Sequence, residues 1–285
     1  MEKCTLCPNL CKIDRDNFVG GCGVKNQIKI AKYYLHPYEE PLISGKNGSG
    51  CVFFGGCSLK CAFCQNYELS HDARGKVFTV RELSDIFKKL EDDGAHNINL
   101  VNPTHYARQI LSALEIYKPK IPIVWNTHGY ERLETLKSVD CVVDVYLPDL
   151  KYFKPSRSNR YAKKENYFEV ASKAVEFMLN SKKPVVQDGL MKQGVIVRHL
   201  ILPQNVDESI KILDFLKQVI GDNYLSLMSQ YTPYGNLEGL PELNRKITKR
   251  EYQTVLDHAL SLGFKNLFLQ DQTSVGTEFI PTWDY

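Results

Sequence analysis

The chain has 285 residues, enough for one barrel-type α/β domain with a short extension or for two small domains. Apolar residues at 43% and charged residues at 24% exclude a disordered or fibrous chain, and a formal net charge of +3 does not by itself announce nucleic acid as a partner. The apolar runs CVVDVYLPDL and GVIVRHLIL are too short and interrupted to cross a bilayer, and MEKCTLCPNL has no apolar stretch for export, so no membrane partner and a cytoplasmic location are expected.

Residues 1–50 read as a Cys-rich N-terminal extension. Cys4, Cys7, Cys11 and Cys22 make the pattern C-x2-C-x3-C-x10-C, with Pro8 after the second thiol and GGCG around the fourth. Four thiols in so short a segment can hold a zinc ion tetrahedrally or satisfy every iron of a 4Fe-4S cubane. The missing second C-x2-C pair tilts the reading slightly toward the cubane. Disulfides do not suit a reducing compartment. The segment is too small to carry a core of its own, so it is expected to be a metal-stapled cap over a barrel spanning 51–285.

After residue 50, short β-rich runs alternate with longer amphipathic ones, as parallel βα units require. Strands are predicted at 51–56, 97–101, 121–126, 141–147, 194–202, 224–229 and 266–269. Helices are predicted at 79–92, 105–117, 130–137, 161–181, 207–220 and 248–262. Thr79 with Glu82, and Thr248 with Glu251, form two capping boxes that fix helix starts. Cys51 and Cys141 open apolar runs and are expected to be buried packing thiols.

Between the first strand and the first helix lies GGCSLKCAFCQNY, in which Cys57, Cys61 and Cys64 form C-x3-C-x2-C. Zinc sites usually read as two separated pairs, which this triplet is not. Three thiolates can hold three irons of a cubane and leave the fourth open, whereas electron-transfer ferredoxins close theirs with four cysteines. Ligands of parallel βα folds gather where the strands end. There the sequence places Asn102, Pro103, Thr104 and His105 after the second strand, and Asn126, Thr127, His128 and Gly129 after the third. Asp149 and Lys151 follow the fourth strand, and Tyr231 lies after the sixth. Arg198 and His199 are adjacent on the fifth strand, so only one of them faces inward.

The triplet, with Phe63 in the aromatic slot before its last cysteine, resembles the signature of the radical S-adenosylmethionine (radical SAM) superfamily. The wider string EEPLISGKNGSGCVFFGGCSLKCAFCQNYELS resembles its PflX-type branch, related to pyruvate formate-lyase activating enzyme. The resemblance implies a partial (β/α)6 TIM-like barrel, open on one side to a large substrate. It implies a 4Fe-4S cluster on Cys57, Cys61 and Cys64 that binds S-adenosylmethionine. An electron from a flavodoxin- or ferredoxin-type reductant would then give a 5′-deoxyadenosyl radical able to take a hydrogen atom, for instance from a glycine of a partner protein. Asn102, Pro103 and Thr104 stand where the family has Gly-Gly-Glu, which holds the methionine amino group. Asn126 and Thr127 match the Asp-Thr-Asn-Gly turn in part. Asp149 and Lys151 match the Asp-x-Lys element that holds ribose and carboxylate, and Arg198 matches an arginine of the activating enzymes and is read as catalytic. Phe63 and Tyr231 complete the candidate cofactor contacts. The competing readings are radical modification of an RNA base or small metabolite, docked on Lys154, Arg157, Arg160, Lys163 and Lys164, and a non-catalytic iron-sulfur or zinc protein. A solvated helix face is the plainer reading of those cations.

Overall fold

A computed structural model describes residues 3–270. Positions 271–285 of the predicted barrel lie outside the described residues. The elements run β1 (Ile28–His36), α1 (Pro41–Ser44), β2 (Ser49–Phe54), α2 (Tyr67–Ser70), β3 (Lys76–Phe78), α3 (Val80–Asp92), β4 (Ile98–Val101), α4 (Ala107–Ile116), β5 (Ile123–Thr127) and α5 (Leu133–Val139). They continue with β6 (Val145–Pro148), α6 (Pro155–Ala162), α7 (Tyr167–Ser181), β7 (Val185–Gln187), β8 (Leu190–Leu200), α8 (Val206–Val219), β9 (Tyr224–Met228), α9 (Lys249–Leu262) and β10 (Leu267–Leu269).

The strands form one sheet in the order β10-β9-β8-β6-β5-β4-β2-β1-β3, with β7 paired to β8 off that path. The seven strands from β2 to β10 along this order are parallel, and β1 and β3 add an antiparallel margin beyond β2. Both ends of the path are free among the described residues, so the sheet is a partial barrel and not a closed one. The seven predicted strands are the seven parallel ones. The first 50 residues also contribute β1, which pairs with β2 on the same sheet.

Side-chain alternation sorts the sheet into two faces. Val52, Phe54, Ile98, Leu100, Trp125, Tyr146, Val195, Val197, Leu225 and Leu227 pack outward with the helices in the main core. Val124, Val145, Leu147 and Ile196 point inward, where Met191 and Ile43 of α1 join them in a separate apolar cluster. That inner cluster is a floor. Above it the inward rows turn polar, with Asn126, Asp149 and Arg198, and this change of character creates the site.

Both capping boxes form: the Thr79 hydroxyl accepts from Glu82 N at 3.2 Å, and the Thr248 hydroxyl accepts from Glu251 N at 3.1 Å. Two expectations are corrected. The helix predicted over 161–181 is two helices, because Lys163 adopts φ 57° and ends α6 with a left-handed residue. Cys141 is exposed, not buried, since it lies in the turn after α5 and its strand starts only at Val145.

Candidate functional site

A cavity of about 590 Å³ opens at the carboxyl ends of the parallel strands, in the size range of small-molecule sites. Its lining brings together Cys57, Cys61, Phe63, Cys64, Asn102, Asn126, Thr127, Asp149, Lys151 and Arg198 from five separate strand ends. The loop after β2 delivers the cysteines. It can do so because Gly56 sits at φ +91° and a Cβ there would lie 2.8 Å from the Cys22 carbonyl oxygen.

The three thiols are free and sense one another electrostatically. Burial pushes Cys57 up to about 11 and Cys61 up to about 12, so as bare thiols both stay protonated. Donors nevertheless point at the sulfurs. Leu59 N and Lys60 N lie 3.4 and 3.5 Å from Cys57 Sγ, and the Tyr152 hydroxyl donates to Cys61 Sγ at 3.1 Å. The Lys151 cation pulls all three thiols back toward the thiolate. Sulfurs that already accept hydrogen bonds and face a cation suit thiolate ligands of an iron-sulfur cluster, which binds only deprotonated cysteine. Among the described residues, no three His, Cys, Asp or Glu side chains converge as a single-ion site requires.

Below the thiols runs a charged network. Arg198 donates through Nε to Asp149 at 2.8 Å, through Nη2 to Asn126 Oδ1 at 2.7 Å and through Nη1 to Glu39 at 3.3 Å. Lys151 Nζ donates to the other Asp149 oxygen at 2.5 Å. Burial alone would raise the Asp149 carboxyl, but Arg198 and Lys151 outweigh it and hold the group below the usual carboxylate range. Asp149 in turn, against the pull of burial, keeps Lys151 and Arg198 charged. Arg198 thus faces the interior. His199 faces outward, bonded to Leu150 O at 2.7 Å and Ser209 Oγ at 2.8 Å, and burial lowers it to about 4.

Not every predicted residue reaches the cavity. The Thr104 hydroxyl donates to Glu131, and so does that of Thr127, which binds these two strand ends together. Pro103 precedes the turn that carries Thr104 and does not line the cavity. Tyr231 packs its ring on Phe63 with centroids 5.8 Å apart and donates to Leu243 O at 2.8 Å, outside the lining. Asn102, at φ 58°, donates to Gly56 O at 2.6 Å, and its buried Oδ1 has no partner among the described residues. His128 lines the cavity but is bonded to Ser58 Oγ at 2.8 Å, and His105 to Gly55 O at 2.9 Å. Burial lowers both to about 3, so both are neutral turn residues.

Three carboxylates escaped sequence reading. Glu39 and Glu40 line the cavity from the segment between β1 and α1, and burial pushes Glu40 up to about 7. Glu131 sits behind the site, raised by burial to about 7 although both threonine hydroxyls lower it. The one sequence signal for Glu39 and Glu40 was their pairing before Pro41, and Glu131 had none. Two of the five cations at α6 are engaged by carboxylates of the protein itself: Lys154 pairs with Asp207, and Arg160 donates to Glu242 at 2.5 and 2.9 Å.

A curled parallel sheet with a cysteine triplet at its first strand end defines a class, and comparison with known proteins agrees. The radical SAM superfamily profile matches residues 51–216, and the chain belongs to that superfamily, whose members are generally enzymes. The uncharacterized protein MJ0674 of Methanocaldococcus jannaschii is 30% identical over 268 residues, covering 90% of this chain and 74% of that protein. Streptococcus suis SuiB, crystallised with its precursor peptide SuiA, superposes with a TM-score of 0.52 at 15% identity, covering 75% of this chain, and this likeness shows the fold alone. The chain spans 46% of SuiB. A domain of pyruvate-formate lyase-activating enzyme from Bacteroides vulgatus gives a TM-score of 0.40 at 14% identity, covering 67% of this chain and 91% of that one, too low to carry an argument. No helix among the described residues is long and apolar enough to cross a membrane.

Proposed function

We propose that this protein reductively cleaves S-adenosylmethionine at a 4Fe-4S cluster held by Cys57, Cys61 and Cys64, and uses the radical to take a hydrogen atom from a carbon of a polypeptide substrate. The observation that carries the reading is that three free thiols and a buried Asp149–Lys151–Arg198 network line one strand-end cavity. When bound, the cluster supplies one electron to the sulfonium, which splits into methionine and a 5′-deoxyadenosyl radical.

The chain's own residues position that substrate. Lys151, a mobile point charge beside the thiols, suits the methionine carboxylate. Asp149 keeps lone pairs beyond those used by Arg198 and Lys151, so it can accept from ribose hydroxyls. The unpartnered Asn102 Oδ1 is an acceptor suited to an amino group. Arg198 holds Asp149 and Asn126 in place and has further N–H groups to offer a ligand. Phe63 walls the cavity, with Tyr231 braced behind it.

The margin of the sheet, open among the described residues, favours a large substrate over a small metabolite. SuiB was crystallised with a precursor peptide, and a glycine of a partner protein is the polypeptide target that the activating-enzyme resemblance singles out. RNA docking on α6 has no support beyond the density of its cations, two of which, Lys154 and Arg160, are in ion pairs.

The test is anaerobic reconstitution with iron and sulfide, addition of dithionite and S-adenosylmethionine, and measurement of 5′-deoxyadenosine. The expected result is product from the wild type and none from Cys61→Ala. An iron-loaded wild type that makes no more than Cys61→Ala would overturn the reading.

A further inference from the structure

Cys22 and Cys57 belong to different cysteine groups, yet the backbone N–H of Cys57 donates to the carbonyl of Cys22 at 2.9 Å. Gly56 beside them is pressed so closely that any Cβ would strike that carbonyl. The covalent reach of two residues joined in this way keeps their sulfurs within about 12 Å of each other. Electrons cross such a gap through protein without an intermediate carrier.

The extension is clamped at further points around this contact. Asn9 Nδ2 donates to Ser58 O at 2.8 Å, Arg132 Nη1 to Thr5 O at 2.8 Å, and Thr135 Oγ1 to Leu6 O at 2.7 Å. Its four thiols are free, and they lie within electrostatic range of one another, Cys7 sensing Cys22 and Cys4, and Cys22 sensing Cys4 and Cys11. They also span a gradient of exposure: Cys4 and Cys11 are half-buried, while Cys7 and Cys22 are buried against the barrel. In the triplet Cys57 and Cys61 are buried, and Cys64 is half-buried beside the cavity. A zinc staple does no redox chemistry and has no need of a ligand bonded to the triplet.

We propose that Cys4, Cys7, Cys11 and Cys22 hold a second, fully ligated iron-sulfur cluster that serves as the electron inlet to the triplet, across the Cys22–Cys57 contact. The proposal rests on the radical reading of the triplet. A low-potential one-electron donor, such as a flavodoxin hydroquinone, is oxidised by one electron to its semiquinone. The electron passes inward through the extension and reaches the sulfonium, whose S–C5′ bond breaks to leave the lone pair on methionine and the unpaired electron on C5′. No proton moves.

The full-length protein is reconstituted anaerobically, and iron, zinc and the electron paramagnetic resonance spectrum are measured without S-adenosylmethionine. The wild type should carry about eight irons and no stoichiometric zinc. After dithionite reduction it should show two signals broadened by mutual coupling. Cys4→Ser/Cys11→Ser should lose about four irons and leave one unbroadened signal. In that variant, the ratio of cleavage driven by photoreduced flavodoxin to cleavage driven by dithionite should fall by about tenfold or more. Zinc at one per chain, two uncoupled signals, or an unchanged ratio would each overturn the inlet. If the double variant fails to fold, the wild-type metal content and coupling still decide. Two coupled clusters without any 5′-deoxyadenosine under dithionite would instead sink the radical reading alone.

Discussion

The two cysteine groups are built from the same side chain and touch each other, yet the fold treats them differently. Cys57, Cys61 and Cys64 lie on one loop at the mouth of a charged cavity, with Lys151, Tyr152 and backbone N–H groups turned toward the sulfurs. Cys4, Cys7, Cys11 and Cys22 come from a segment with no helix or strand of its own before β1, held by hydrogen bonds to the barrel and partly facing solvent. The difference teaches that thiol number and surroundings together set the chemistry. On the proposed reading, three sulfurs beside a ligand cavity would leave a coordination position where a substrate can be activated, and four sulfurs away from it would close their cluster.

Cys61→Ala breaks this comparison most sharply. It is expected to lower 5′-deoxyadenosine formation by about a thousandfold or more, while the extension keeps its own metal. Iron analysis beside product chromatography checks both halves, and equal metal loss from both groups would mean that they are one site.

Arg198→Ala comes next. It leaves Glu39 and Asn126 without their guanidinium partner and Asp149 with Lys151 alone, inside a buried network. Removing one member of such a network costs about 3–5 kcal/mol, to be read by urea denaturation together with loss of S-adenosylmethionine affinity. Arg198→Lys should recover little, because one ammonium cannot reach three separated acceptors. Full rescue by lysine would show that charge alone is used.

How far these features can be read from sequence depends on how locally each is encoded. The parallel strands announce themselves because burial on both faces makes them nearly continuous apolar runs, as in CVFF and IVW. β1 lacks that signature, since most of IKIAKYYLH is only half-buried at the antiparallel margin, and β7 is exposed along its length. The thiols are legible because spacing carries them, and Arg198 because alternation turns only one of Arg198 and His199 inward and the activating-enzyme resemblance points to the arginine. Glu39, Glu40 and Glu131 are not, because an isolated carboxylate reads as solvated surface until the fold buries it. Thr104 and Thr127 fall between these cases. They stand at strand ends as anticipated, but their hydroxyls bind Glu131, a partner that no local pattern indicates.

That strut gives a smaller prediction. Burial raises Glu131 from 4.5 to about 7, so the native protein binds this proton more tightly than the unfolded chain does. The stability tied to it is complete below 4.5, declines as pH rises toward about 7 and is flat above. Glu131→Gln should remove a pH-dependent loss on the order of 1–3 kcal/mol, seen as a flatter profile of denaturation midpoint against pH. An unchanged slope would show that this carboxyl does not titrate across that range.

The smallest effect concerns α6, the one basic segment dense enough to suggest a nucleic-acid partner. Lys154 meets Asp207 and Arg160 meets Glu242, both ion pairs with exposed cations, so the surrounding water and salt leave each pair little net strength. Lys154→Ala/Arg160→Ala should therefore leave the denaturation midpoint within error of the wild type. A solvated helix face of this kind predicts no steep dependence of wild-type RNA binding on salt. Tight, salt-sensitive RNA binding that the double variant abolishes would reverse this, placing α6 rather than the open sheet margin at the substrate's door.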